Sequence, residues 1–267
     1  MDKNLVLGMP TLIECKSIEE NMVLCKGLGL CFIELNMNLP QYQVEKIDDD
    51  LYRSLIKEYG IFFTLHLPEE LNISDFNPRV RKAYLDTVCD SIILAKKIGI
   101  PIINMHMISG VYFTLPDRKV YLFNEYLEYY LDSIKDFGNT VSELIEGENI
   151  YICIENIGIY NREYIRKAIV ELLKYKCFKL TWDIGHDYSS GGNDTNFILE
   201  NKKHIKHFHI HDAIGEKNHL PIGTGEIYIG NKLKIAKDNG CLCVIETKTI
   251  SGLRKSVEAF ERGHYSV

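Results

Sequence analysis

An alternation that never breaks runs through this chain: eight short runs rich in β-formers, separated by longer stretches of helical period. The runs are Leu5 to Met9, Cys31 to Asn36, Ile61 to His66, Ile102 to His106, Ile150 to Glu155, Phe178 to Asp183, Ile205 to Ile210 and Leu242 to Glu246. Segments such as Arg79 to Ile98 place Val80, Tyr84, Leu85, Val88, Ile92 and Ala95 at three- and four-residue steps, the face of a helix packed on a sheet. Glycines stand where such helices must stop, in KEYG before IFF, KKIG before IPI and KDNG before CLC. At about 33 residues per strand–helix unit, 267 residues make an α/β fold, one (β/α)8 TIM barrel in a single domain spanning 1–267. A doubly wound open sheet would have a glycine-rich turn after its first strand, and here that strand runs into GMPTLIE.

Composition narrows the function classes. With 31 Lys and Arg against 37 Asp and Glu, the net charge of -6 leaves no electrostatic footprint for nucleic acid. Arg79, Arg81, Lys82, Lys202 and Lys203 fall on predicted helices and read as solvated faces. No uninterrupted apolar stretch approaches about 18 residues, and MDKNLVLGMPTL lacks a basic region followed by an apolar core, so a cytoplasmic protein without membrane contact is expected. The eight cysteines are scattered, with no C-x-x-C pair, and read as buried, reduced core residues.

The predicted strands repeatedly end in metal-type side chains: Glu34, His66, His106, Glu155, Asp183, His209 and Glu246. Taken singly, a histidine at a strand end is usually hydrogen-bonded structure, and an acid there usually caps the next helix. Together they are different, because a barrel brings the C-terminal ends of its strands to one mouth. So many acids and imidazoles, following apolar runs such as YICIE, KLTWD and LCVIE, would be costly to bury unless paired or bound to a cation. Without thiolates, the set suits a hard or borderline divalent metal.

All but Glu34 lie in HLPEELNIS, NMH, IENIG, WDIGH, HFHIHD and IETK, and in these motifs, with HLPIGTGE after the seventh strand, the chain resembles the xylose isomerase-like TIM-barrel superfamily from about Leu5 to Glu246. That superfamily contains sugar and sugar-phosphate isomerases and epimerases, some dehydratases, and the endonuclease IV type of abasic-site nuclease. The resemblance implies one or two divalent ions per chain (Mn, Zn, Mg or Co). Glu155, Asp183, His209 and Glu246 match the four ligands of the single-metal epimerases, and His66 and His106 match the ligands of a second ion bridged by Glu155. His186 and His219 match two ligands of the nuclease's third ion, but Lys217 stands where that ion needs a carboxylate, with Glu216 one position out of register. His186, His211, His219 and Lys248 become candidate substrate contacts, with a supporting role for His211 and Asp212, a structural role for His219 and a solvent-exposed Lys248 as alternatives.

The implied activity is isomerisation or epimerisation of a small carbohydrate or its phosphate, Glu155 and Glu246 transferring protons through a metal-stabilised enediolate. The alternatives are a phosphodiesterase on abasic DNA and a dehydratase. Gly215 and Asn161 replace the Arg and Glu that the ketohexose epimerases use, so ketohexose chemistry does not follow. Glu69, followed by Glu70, stands where the nuclease has its aromatic wedge, and carboxylates there would repel phosphate, which argues against nucleic acid. The Gly223-Thr224-Gly225 turn is read as opening the next helix, as a plain cap or with free N–H groups for a phosphate. In Ser109 to Gly147 the first part is read as a lid and Leu115 to Ile145 as an amphipathic helix, its aromatics core or a subunit contact, which is compatible with a homo-oligomer. Trp182, by the period of two, faces away from Asp183 towards the helices.

Overall fold

A computed structural model describes residues 5–262; the first four and last five positions of the predicted domain lie outside the described residues. The strands are β1 (Val6–Pro10), β2 (Phe32–Asn36), β3 (Phe62–His66), β4 (Ile102–His106), β5 (Tyr151–Glu155), β6 (Phe178–Asp183), β7 (Ile205–Ile210) and β8 (Leu242–Ile245). They close into a parallel barrel in the order β1-β8-β7-β6-β5-β4-β3-β2, with helices between successive strands. The fold is therefore the (β/α)8 barrel. Bounds differ from the sequence reading by a residue: β1 starts at Val6 and Glu246 falls just past β8.

Local chemistry sets the helix ends. Ser17 accepts the N–H of Glu20 at the start of Ile18–Gly27, Asp48 accepts those of Asp50 and Leu51 at the start of Asp49–Tyr59, and Asn77 with Pro78 opens Pro78–Ile98. At KEYG and KKIG the chain stops its helix in the left-handed region, with φ of 69° at Gly60 and 78° at Gly99, where a side chain would be strained.

Two antiparallel hairpins grow from the mouth, where the sequence reading had none. One pairs Tyr112–Thr114 with Lys119–Tyr121 after β4, and the other pairs Asp212–Ile214 with Lys217–Leu220 after β7. The first corrects the helix expected from Leu115: Leu115 N–H donates to Arg118 O at 2.8 Å around Pro116, so helix begins only at Leu122–Glu125 and resumes over Leu127–Ile145. Most cysteines are buried or half-buried as expected, and all of them are free thiols; Cys31 is the exception, exposed just before β2. Among the described residues no helix is long and apolar enough to cross a membrane.

Candidate metal centre

Glu155 closes β5, Asp183 closes β6, His209 is the penultimate residue of β7, and Glu246 follows β8. The barrel brings one ligand-type atom of each within 4.8 Å of all the others, and all four residues are buried. His209 Nδ1 lies 3.0 Å from Glu155 Oε1, 3.3 Å from Glu246 Oε2 and 3.8 Å from Asp183 Oδ2. Burial opposes charge on Glu155 and Glu246, yet the His209 imidazole holds both carboxyls well below their usual range. Burial also opposes the His209 cation, and Glu155, Glu34 and Glu246 together carry that ring well above its ordinary value. Three acids on one imidazole concentrate negative charge where water cannot screen it, and a divalent cation would neutralise it. Buried Glu246 Oε2 has no hydrogen-bond partner, as fits an atom that ligates. The residues thus suit a divalent ion held by oxygen and imidazole.

His66 and His106 each place Nε2 at 3.3 Å from Glu155 Oε2. His66 Nδ1 is 2.7 Å from Leu67 O, which only accepts, so that nitrogen carries the proton when the ring is neutral and Nε2 faces inward. Burial opposes its charge, but Glu155 raises it to about 9. Glu155 therefore turns one oxygen to His209 and the other to His66 and His106, so those two rings would be the residues to hold a second ion.

On the other side of Asp183, His211 Nε2 lies 3.1 Å from both carboxylate oxygens, and its Nδ1 accepts the His219 N–H at 2.8 Å. His211 thus braces Asp183. Gly185 makes room for it: a Cβ there would stand 1.9 Å from the ring's Cε1. His186 is edge-on to His211 and His219, with ring centroids 5.6 and 5.2 Å away. These three rings bring ligand atoms within 4.8 Å of one another, but both nitrogens of His211 are taken, and exposed Lys217 and Glu216 add nothing. His219 sits at φ 54° with Nδ1 3.3 Å from Glu246 O; burial pushes it down to about 4, so it is neutral.

Lys248 reaches back to the centre, its Nζ 2.8 Å from Glu246 Oε1. With Thr11, Asn36, Asn38 and Glu69 it lines a cleft of about 260 Å³ at the mouth. The Gly223-Thr224-Gly225 turn opens no helix, since the next one begins at Gly230, and its N–H groups are not free. Thr224 N–H donates to Pro221 O at 3.1 Å, and Asp212 takes the two glycines, Gly223 and Gly225 donating to Oδ2 at 3.0 and 2.8 Å, while Ala213 and Ile227 donate to Oδ1 at 3.0 and 3.1 Å. A phosphate has no donors left there.

Sequence reasoning missed the polar residues beneath the mouth. Asn104 donates through Nδ2 to Glu155 Oε2, Thr181 donates to Asn104 Oδ1 at 2.5 Å, and His207 Nδ1 is 3.2 Å from Thr181 Oγ1. A signal for them existed. Asn104, Thr181 and His207 stand two residues before His106, Asp183 and His209, hence on the same strand face. Asn156, beside Glu155, clamps Asp183 through its main-chain N–H at 2.8 Å and its carbonyl at 3.0 Å. Glu34, counted among the strand-end acids, does not join the four-residue set and lies against His207 and His209.

Comparison with known proteins agrees with this architecture. The uncharacterized protein MJ1614 of Methanocaldococcus jannaschii is 33% identical over 202 residues, 74% of each chain. A crystal structure of a D-tagatose 3-epimerase-like protein superposes with a TM-score of 0.77 at 25% identity, over 97% of this chain and 96% of that one. The IOLI protein, solved with a binding zinc atom, superposes with a TM-score of 0.75 at 15% identity, over 98% and 99% of the two chains, a likeness of fold. Residues 23–263 match the family description itself, and on that span the chain belongs to the xylose isomerase-like TIM barrel family.

Proposed function

We propose that this chain is a divalent-metal-dependent isomerase or epimerase of a small, uncharged polyhydroxylated substrate. The observation that carries the reading is the pair of buried carboxylates, Glu155 and Glu246, that both face one imidazole nitrogen, at 3.0 and 3.3 Å. When bound, a divalent ion would polarise a substrate carbonyl and its neighbouring hydroxyl, acidifying the adjacent C–H. Glu246 or Glu155 takes that proton from one face, and the other returns one to the opposite face. Both carboxyls are held ionised, Glu246 with the further help of Lys248 at 2.8 Å, so either can act as the base near neutral pH. His186, the most accessible of the three rings beyond Asp183, and neutral His219 offer hydrogen bonds to substrate oxygens.

The mouth favours hydroxyls over phosphate. The cleft beside Glu246 presents Thr11, Asn36, Asn38 and Glu69, groups that pair with hydroxyls. Lys248 is already on Glu246, and Asp212 holds the glycine-turn amides. Two-ion phosphodiester chemistry draws support from His66 and His106 on Glu155, yet exposed Glu69 and Glu70 on the rim oppose a phosphate track. The deciding measurement is proton exchange from D₂O into a panel of ketoses, aldoses and their phosphates, with and without Mn²⁺. Metal-dependent exchange into an unphosphorylated sugar is expected. Nicking of an abasic-site duplex with no exchange into any sugar would overturn the reading.

A further inference from the structure

The interior of a (β/α)8 barrel is ordinarily filled by Val, Ile and Leu. Directly beneath the candidate metal centre this one instead buries Glu34, Thr64, Asn104, Thr181 and His207, each 2% exposed or less. An acid so deep in a barrel is expensive unless its partners are fixed. Thr64 Oγ1 donates to Glu34 Oε2 at 3.2 Å, and Glu34 Oε1 lies 2.8 Å from His209 Nε2. His207 is no rival for that oxygen. Thr181 has one hydrogen, given to Asn104 Oδ1, so His207 Nδ1 must donate to Thr181 Oγ1. Neutral His207 therefore has no proton on Nε2, which is 3.4 Å from Glu34 Oε2.

From this geometry we propose that Glu34 is a positioning residue for the metal centre, its carboxylate oxygen, 2.8 Å from His209 Nε2, drawing the ring proton to that nitrogen so that Nδ1 presents its lone pair to the ion. The charge contact selects the tautomer, because a proton on Nε2 lies against Glu34 while Nδ1 is left among Glu155, Asp183 and Glu246. The second arm does the same for Glu155. His207, Thr181 and Asn104 pass their hydrogens in one direction, ending with the Asn104 amide on Glu155 Oε2, which leaves Oε1 beside His209. Glu34 touches no ion and no substrate. Its function is to keep the proton of one imidazole on the nitrogen that faces away from the ion.

The inference rests on the metal reading above, and the test separates the two. Wild type and Glu34→Gln are titrated with Zn²⁺ against a chromophoric chelator, and the visible spectra of their Co²⁺ forms are compared. Glutamine keeps the volume and removes the charge, so about 10- to 100-fold weaker Zn²⁺ binding is expected, with altered Co²⁺ bands at unchanged stoichiometry. Equal affinity and identical Co²⁺ spectra would overturn the positioning role and leave the metal centre standing. A wild type that takes up neither ion would overturn both. Should Glu34→Gln not fold, ring ¹⁵N–¹H spectra of Zn²⁺-loaded wild type decide: His209 protonated at Nε2 supports the role, and His209 protonated at Nδ1 overturns it.

Discussion

Glu155 and Glu246 face the same nitrogen of His209, but their surroundings assign them different consequences on mutation. Glu155 meets His209 with one oxygen and His66, His106 and Asn104 with the other, so Glu155→Ala removes the hub of the cluster. Elemental analysis of that variant is expected to show loss of the bound divalent ion, and full retention would contradict its assignment as a ligand. Glu246 has a simpler environment, with Lys248 on one oxygen and the other aimed at the cluster. Glu246→Gln keeps an oxygen in place and abolishes the base, so metal content should persist while D₂O exchange falls by about 10²- to 10⁴-fold. His211, which the sequence left between a substrate contact and a supporting group, is engaged at both nitrogens by protein. Its distance to both Asp183 oxygens favours support.

At the scale of single elements, much of the mouth is built by residues that never reach the centre. The helix Ile184–Ser189 starts on Asp183, whose Oδ1 accepts the His186 N–H at 2.6 Å, so one side chain both caps a helix and faces His209. Gly185 in its first turn lets His211 approach; Gly185→Ala is expected to cost about 1–3 kcal/mol through overpacking, seen as a lower unfolding midpoint. The segment from Ala213 to Ile227 hangs on four hydrogen bonds to Asp212. Asp212→Asn turns an acceptor oxygen into a donor against two N–H groups, and at about 1.5–3 kcal/mol per charge-assisted bond a loss of about 3 kcal/mol should appear in urea unfolding. The eight barrel strands were legible because apolar runs, glycine stops and helical faces all agree. The hairpins were not, since YFTLPDRKVY and DAIGEKNHL carry their pairing in short polar turns, and aromatic spacing in the first imitates a helix. The polar layer beneath the mouth hid for another reason: Asn104, Thr181 and His207 look like ordinary strand residues until their two-residue offset from the ligand candidates is counted.

For the whole molecule, the buried titratable groups shape stability against pH. Burial pushes His207 and His219 down to about 4, so the unfolded chain binds protons there near pH 6.5 that the folded chain refuses, and stability falls as pH drops from 6.5 towards 4. Glu34, held below its usual range against burial by His209 and His207, adds to the loss at the acid end. His66 acts in the opposite sense. Glu155 lifts it to about 9 against burial, so the folded chain keeps a proton that the unfolded one loses, and that stabilisation disappears as pH rises from 6.5 through 9. Thermal melts of EDTA-treated protein are expected to peak near pH 6.5; a midpoint rising steadily from acid to alkaline pH would contradict this charge distribution. The sole tryptophan gives the centre an optical property of its own. Trp182 is buried on the outer face of β6, its Nε1–H on Asp187 Oδ2 at 3.1 Å and Lys232 over its ring, one residue from Asp183. A single emitter at that distance from the cluster makes occupancy visible as light: Co²⁺ at Asp183 should quench the emission by energy transfer, Zn²⁺ should not, and the protein reports its own loading without a label.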